Sequence, residues 1–197
     1  MQVDQAGLMN RVIRAFKGDR TLFEEVEKAE NLTQEAFLIV GIGAISTALG
    51  AAIGVLLIMG AMPVPAGIAI PRPGFVGTLI SSFISAIVGY IIWSYVTYFV
   101  GTRMFNGTAT PQEMLRVIGY ASVPKILGIV GFIPGLGGLI QFALWIWSIY
   151  LGFLAVRQGL NLTNQNAILT IIISAVIAII AGIIVGVILT PLTLMGI

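Results

Sequence analysis

The sequence contains no cysteine and no histidine, and each absence excludes a class of chemistry. Without cysteine the chain cannot form a disulfide, a thiolate metal site or a cysteine nucleophile. Without histidine it lacks the commonest general base and metal ligand. The apolar segments also hold no pair of carboxylates that would serve acid–base catalysis. We therefore expect a protein that is not an enzyme and that binds neither a cofactor nor a metal ion.

Charge is scarce as well, since only 9% of the 197 residues are charged, whereas a soluble domain has about 25%. By contrast, 58% of the residues are apolar and the mean hydropathy is +1.04. These values predict an all-α polytopic membrane protein, a bundle of five transmembrane helices. The five spans are expected at about residues 36–60, 74–101, 111–133, 139–156 and 167–190, within one domain of residues 36–197.

Residues 1–35 carry most of the charges and lack the apolar run of a cleavable signal. We predict that they form short amphipathic cytosolic helices. In residues 3–17, the apolar side chains of Leu8, Val12 and Phe16 fall on one side of a helix. The opposite side carries the three cations Arg11, Arg14 and Lys17. The pattern indicates a helix that lies on an anionic membrane surface or packs on the cytosolic face of the protein itself.

A second short helix is predicted from Asp19 to Glu30, with a capping box between Thr21 and Glu24. Its acidic residues are Glu24, Glu25, Glu27 and Glu30. They indicate either a solvated face or a docking patch for a basic partner. Thr33 is then predicted to cap the first span, with Glu35 favourably placed near the positive end of the helix dipole.

The third span differs from the others because prolines and glycines interrupt it. A capping box between Thr110 and Glu113, with Pro111 at the first helical position, predicts its start. Pro124 in its middle removes a backbone donor, so we expect a bend there. Pro134 and the glycines that follow it predict a tight turn into the fourth span.

Lys125, next to that proline, is the best candidate for a functional side chain. It lies nine residues after Arg116, or about 13 Å along a helix, and therefore near the middle of the bilayer. A lysine there costs about 2.5–3.5 kcal/mol. One hypothesis is an internal polar pocket lined by Tyr120, Ser122, Pro124 and Lys125. The alternative is that the lysine side chain extends to the lipid headgroups.

The distribution of lysine and arginine predicts the orientation in the membrane. A cytoplasmic N-terminus places nearly all of these cations inside: Arg11, Arg14, Lys17, Arg20, Lys28, Arg103, Arg116 and Arg157. Arg72 is then outside and Lys125 is within the membrane. The last span is predicted to end at Pro191. Because five spans are predicted, the C-terminus is expected outside.

Three segments occur in a characteristic order: GTRMFNG, then RVIGYASVPKILGIVGFIPGLGG, then WIWSIYLGFLAVRQGLNLTNQNA. The most specific residues are Gly101, Phe105–Gly107, Arg116, Gly119–Tyr120, Pro124, Pro134 and Trp147. Over about residues 8–185 the chain resembles the YIP family (Ypt/Rab-interacting proteins). The resemblance implies five spans, a cytosolic N-terminus and, in eukaryotic members, vesicle transport with Rab-type GTPases. The acidic Asp-Leu-Tyr-Gly-Pro motif of the eukaryotic members is absent, so the chain resembles the prokaryotic members. This resemblance implies that the protein is located in the plasma membrane of a prokaryote.

These observations favour a non-enzymatic membrane protein that recruits partners or organises the membrane at the cytoplasmic face. The candidate surface contacts are Arg11, Arg14, Lys17, Glu24, Glu25, Glu27 and Arg116. The expected partners are the lipid bilayer and a cytosolic protein, a GTPase by resemblance only, and no nucleic acid. Stripes of small residues suit contacts within one chain or in a homo-oligomer. The alternatives are a small carrier or channel that uses the pocket at Lys125, and a bilayer-shaping protein.

Overall fold

The computed structural model describes residues 5–61 and 72–194, and every regular element in these ranges is helical. The α-helices are α1 (Gln5–Phe16), α2 (Arg20–Lys28), α3 (Thr33–Ala61), α4 (Phe75–Met104), α5 (Pro111–Ala121), α6 (Gly137–Gly159) and α7 (Asn164–Thr193). Two stretches are 3₁₀ helices, the short Glu30–Leu32 and the longer Val123–Phe132, called here the 3₁₀ segment. Residues 3 and 4 of the predicted first helix lie outside the described ranges.

Four segments are long and apolar enough to cross a membrane: Glu30–Leu57, Phe75–Met104, Gly137–Gly159 and Asn164–Thr193. A fifth crossing is made if α5 and the 3₁₀ segment, whose axes differ by 43°, count as one span. Together these two extend about 36 Å at their respective rises, which suffices for a hydrocarbon core of about 30 Å. The chain is thus a polytopic helical membrane protein, as the composition predicts.

The bend in the third span follows from its sequence. The capping box of Thr110 and Glu113 is present, with Pro111 in the first turn, so this helix starts as predicted. Pro124 has no amide hydrogen, and the next amide, that of Lys125, donates to the carbonyl of Ser122 at 2.9 Å. This i→i+3 bond tightens the backbone into the 3₁₀ segment.

Two predicted caps are wrong. The N-cap of α2 is Asp19, whose carboxylate accepts from the amide of Thr21, so the box of Thr21 and Glu24 does not form. Thr33 has helical dihedral angles, and its hydroxyl donates to the carbonyl of Glu30 at 2.8 Å instead of accepting an amide. The 3₁₀ turn before α3 continues directly into the helix, so no extended residue is available for capping.

The prediction that the last span ends at Pro191 is also wrong, because α7 continues through it to Thr193. The dihedral angle φ of proline is compatible with a helix, and near a helix end only one backbone hydrogen bond is lost. The C-terminal residues of α7 are tied to the start of α4, since the amide of Gly74 donates to the carbonyl of Thr193 at 3.1 Å. This contact supports the last turn of α7.

The core lies at the end of the bundle where α3, α5 and α7 begin, called here the N-terminal side. α2 packs there on α5 and α6, and its Leu22, Phe23 and Val26 are fully buried. Gly18, with φ of +73°, allows the chain to turn sharply between α1 and α2. The N-terminal helices are therefore part of the folded domain and not a separate tail.

The 3₁₀ segment is held mainly by α3. The hydroxyl of Ser46 donates to the carbonyl of Ile126 at 2.7 Å and accepts the amide of Ile129 at 2.9 Å. A Cβ atom added to Gly50 would lie 2.7 Å from the carbonyl oxygen of Gly128, so the two backbones touch. The small residues of α3 thus serve a contact within this chain, as one of the two readings of the stripe proposes.

Candidate functional site

Arg116 on α5 binds the C-terminal end of α2 through its backbone. The side chain is only 4% exposed. Its Nε donates to the carbonyl of Val26 at 3.0 Å and its Nη2 to the carbonyl of Glu27 at 2.5 Å. These carbonyls have no partner within their own helix, and the guanidinium also faces the negative end of the helix dipole. Arg116 therefore caps α2 from another helix, and its charge faces neither lipid nor water.

A second buried polar cluster joins α1, α3 and α5. The Arg11 guanidinium donates twice to the carboxylate of Glu35, at 2.6 and 2.9 Å. The hydroxyl of Tyr120 donates to the same carboxylate at 2.7 Å. The bonds to Glu35 raise the pKa of Arg11 above its ordinary value. Glu35 therefore does more than interact with a helix dipole, because it receives three donors that anchor α1 on the bundle.

Arg14 links α1 to α2 in a more exposed position. It donates to Asp19 at 2.7 Å and, through two nitrogens, to Glu25 at 2.8 and 2.9 Å. The Arg14 guanidinium holds the pKa values of the Asp19 and Glu25 carboxyl groups below their ordinary range. A bidentate arginine–carboxylate pair has a defined geometry, so this contact sets the angle between the two helices.

The other acidic residues of α2 pair with the loops and helix ends beside them. Glu24 accepts from the side chain of Gln158 at 2.9 Å, and Glu27 accepts from that of Asn161 at 3.1 Å. Burial raises the pKa of Glu27. Among the described residues, no three carboxylates come close enough to hold a metal ion. Most of the acidic run is therefore engaged within the chain, although Glu24 and Glu25 keep exposed surface.

α1 packs on the rest of the protein along one side only. Leu8 and Val12 pack against the hydrophobic core, whereas Met9 and Ile13 are 61% and 47% exposed. An apolar pocket of about 280 Å³ separates its last turn, and Lys17 just after it, from the 3₁₀ segment. The helix thus packs on the protein along one edge and presents an apolar edge to its surroundings, as an interfacial helix does.

Lys125 contributes to the walls of two cavities between the helices, both open on one side. One has a volume of about 470 Å³ and also includes Ser122 and Tyr90. The other has a volume of about 450 Å³ and includes Ser82 and Ser85. Lys125 is itself exposed. Of the four residues of the predicted pocket, Ser122 and Lys125 thus line the same cavity.

The other two residues of the predicted pocket lie elsewhere. Tyr120 is fully buried and its hydroxyl is directed to Glu35. Pro124 is buried and lines neither cavity. Tyr120 is five positions before Lys125, which places the two side chains about 140° apart even on a regular helix. The side chain of Tyr120 therefore points away from the cavity that Ser122 and Lys125 share.

Three polar contacts have no counterpart in the sequence analysis. Glu35 has a recognisable signal, because a carboxylate at the start of an apolar span requires a partner. The indole of Trp147 donates to the carbonyl of Phe16 at 2.7 Å, and the side-chain amide of Gln141 donates to the carbonyl of Gly128 at 2.7 Å. Both acceptors are backbone atoms of distant segments, so no residue pattern marks them.

One comparison with known proteins identifies a relationship. The family described as the Yip1 domain matches residues 14–187. The matched range begins within α1 and ends within α7, so it includes Arg116, Lys125, Glu35 and Tyr120, whereas Arg11 of the Glu35 cluster lies just before it. No curated protein and no solved structure matches the chain.

Proposed function

We propose a function from the premise that this chain belongs to the Yip1 domain family: it is a non-enzymatic membrane protein that recruits a cytosolic partner. The observation that carries the proposal is the capping of α2 by Arg116. A buried arginine that binds two main-chain carbonyls fixes a short polar helix on the membrane domain. A partner would meet an ordered surface, so little ordering entropy would oppose its binding.

We place this surface in the cytoplasm. The N-terminal side carries Arg20 and Lys28 on α2 and Arg103 at the end of α4. The opposite side carries Arg72, just before α4. This asymmetry supports a cytoplasmic N-terminal side by the positive-inside rule. With five crossings the C-terminus is outside, and we propose the plasma membrane of a prokaryote as the location.

The exposed face of α2 is the proposed docking surface. It presents the cations Arg20 and Lys28 next to the carboxylates of Glu24 and Glu25. Arg14 already engages Glu25, and Gln158 engages Glu24. The two cations have no ion-pair partner among the described residues. A partner with a complementary acidic patch would therefore bind there, and a GTPase is the candidate that the YIP resemblance implies.

The experiment places a photo-crosslinking lysine analogue, which keeps the ammonium group, at position 28 of the full chain in native membranes. We expect one protein adduct, identified by mass spectrometry, that is lost when Arg20 is reversed in charge (Arg20→Glu). The matched control puts the charge reversal on the opposite side of the bilayer, at Arg72 (Arg72→Glu). Retention of the adduct in Arg20→Glu, or its equal loss in Arg72→Glu, would contradict the docking surface.

A further inference from the structure

We propose that Lys125 binds the anionic headgroup of a lipid whose chain occupies the apolar cavity beside it. This site is separate from the docking surface on α2 and does not depend on the recruiting function. The proposal rests on three features: the depth of Lys125 in the bundle, its lack of an acidic partner, and the different chemistry of the two cavities that meet at it.

Lys125 lies about halfway along the long helices. The 450 Å³ cavity is lined by Ser85, ten residues after the start of α4. The 470 Å³ cavity is lined by Gly89, fourteen residues after the start of α4. The helix has 30 residues, so both are near its middle. The side of the 3₁₀ segment that carries Ile126 and Leu127 faces α1, whereas Lys125 faces α4 and α7. The side chain of Lys125 therefore lies on a different side of the 3₁₀ segment from the interfacial helix.

The ammonium of Lys125 has no carboxylate partner among the described residues. Its stem lies against Gly43 of α3, where an added Cβ would be 3.0 Å from the Cβ of Lys125. Glu35 on the same helix is eight residues away, about 12 Å along the axis, and is bound by Arg11 and Tyr120. A cation at this depth requires a counter-charge. A ligand with a negative group would supply it.

The cavity toward the far end of the bundle is apolar over much of its surface, but several hydroxyl groups line it. Ser82 and Ser85 on α4 and Thr193 at the end of α7 line it together with Lys125. Neither Ser82 nor Ser85 forms a side-chain hydrogen bond within the described part of the chain. Their hydroxyl groups are free to donate to an oxyanion next to the lysine. This half of the site therefore suits a phosphate or carboxylate headgroup.

The cavity toward the N-terminal side is apolar in most of its wall. Trp93 of α4, Trp145 of α6, and Ile171 and Ile179 of α7 line it. The hydroxyl groups in its wall are already occupied: Ser122 donates to the carbonyl of Ile118 at 3.0 Å, Tyr90 to that of Leu115 at 2.7 Å and Ser148 to that of Leu144 at 2.8 Å. The volume of about 470 Å³ lies within the usual range for small-molecule pockets, roughly 300–1,000 Å³. A hydrocarbon chain fits these walls, and a free inorganic anion does not use them.

The test is photolabelling of the purified full chain in nanodiscs of phosphatidylcholine. The probe is phosphatidylglycerol with a diazirine in its acyl chain, and labelled residues are mapped by mass spectrometry. We expect label near Trp145 and Ile171. Loss of the charged contact in Lys125→Gln should weaken labelling about ten- to a hundredfold, whereas Lys125→Arg should retain most of it. The matched control is Lys17→Gln, an exposed lysine just after α1, which should label like the wild type.

Further arms of the experiment distinguish the sources of the anion. A phosphatidylcholine probe with the same diazirine should label these residues much less in the wild type, and this comparison needs no variant to fold. Equal labelling by the two probes, or unchanged labelling in Lys125→Gln, would overturn the proposal. Competition by inorganic phosphate as strong as that by unlabelled phosphatidylglycerol would also overturn it, because a free anion would then suffice. In Lys125→Gln the adduct at position 28 should persist, which separates this site from the recruiting function.

Discussion

Replacing Arg116 by methionine should release α2 from the membrane domain. Methionine keeps much of the length and apolar volume of the side chain but cannot donate a hydrogen bond. The carbonyls of Val26 and Glu27 would then be buried without the charged donor that now satisfies them. Thr33 would lose only a weak contact at 3.4 Å. The substitution therefore tests the two main-chain bonds almost alone.

The expected loss follows from the geometry of these bonds. A hydrogen bond to a charged group contributes about 1.5–3 kcal/mol, and a buried group left unpaired adds its desolvation penalty. Two such bonds suggest that Arg116→Met costs about 3–5 kcal/mol, comparable to breaking a buried ion pair. At about 1.4 kcal/mol per factor of ten, opening of α2 would become about a hundred- to a few thousandfold more frequent.

Hydrogen–deuterium exchange of the full chain in nanodiscs measures this opening directly. The amides of α2 should exchange faster by the same factor in Arg116→Met, whereas those of α7 should not change. Arg116→Lys should fall between the two, because one ammonium cannot reproduce the forked geometry of the guanidinium. The matched control is Arg103→Met, since Arg103 is exposed on the same side and contacts only the ring of Phe99, at 5.9 Å. Less than about a tenfold difference between the arginine-116 and arginine-103 variants would refute the reasoning.

Two further predictions concern packing and pH. Gly50→Ala should lower the melting temperature by several degrees, because the new Cβ would lie 2.7 Å from the carbonyl oxygen of Gly128 and overpacking costs about 1–3 kcal/mol. The control Gly54→Ala should leave the stability unchanged or raise it, because no atom lies within 4 Å of its Cβ. Equal effects of the two variants in a melting assay would contradict the close contact. Arg14 lowers the pKa of Asp19 below its ordinary 3.8, so their contact stabilises the fold above about pH 4 and is lost as the pH falls further and Asp19 is protonated. Its contribution to the free energy of unfolding is less than about 1 kcal/mol, because the pair is partly exposed. Exchange of the α1–α2 amides, corrected for intrinsic rates, should therefore rise below about pH 4 in the wild type. The step should be smaller in Arg14→Gln, where Thr21 still donates to Asp19, and a step of unchanged size in the variant would contradict this origin.

Local patterns were sufficient to predict the helices and one of their starts. The capping box at Thr110 depends on four consecutive residues, so its geometry is contained in the sequence. The cap of α2 was misassigned because Asp19, two residues before Thr21, caps the helix and its carboxylate accepts both the amide and the hydroxyl of Thr21. Composition fixed the fold class because nearly 60% apolar residues with so few charges have no stable arrangement outside a membrane.

Long-range contacts were harder to predict, for a physical reason. Arg116 is a cation within the third apolar region, and the sequence marks it as unusual without naming its partner. Its acceptors are main-chain carbonyls about ninety residues away, and every residue has a carbonyl. Tyr120 is about 140° around a helix from Lys125, and its bond to Glu35 depends on the packing of α3 on α5. Lys125 could be singled out from depth and charge alone, but the separation of its surroundings into a cavity with free hydroxyl groups and a more apolar cavity depends on the packing of α3 to α7.

The attachment of α2 through its main chain has an evolutionary consequence. Arg116 binds main-chain carbonyls at the end of α2, so its contacts do not depend on which side chains the helix carries. Substitutions on the water-facing surface of α2 leave the anchoring atoms untouched, so that surface is free to diverge while its position stays constant. As long as Arg116 is kept, the exposed residues of α2 could change during evolution without any change in the transmembrane helices.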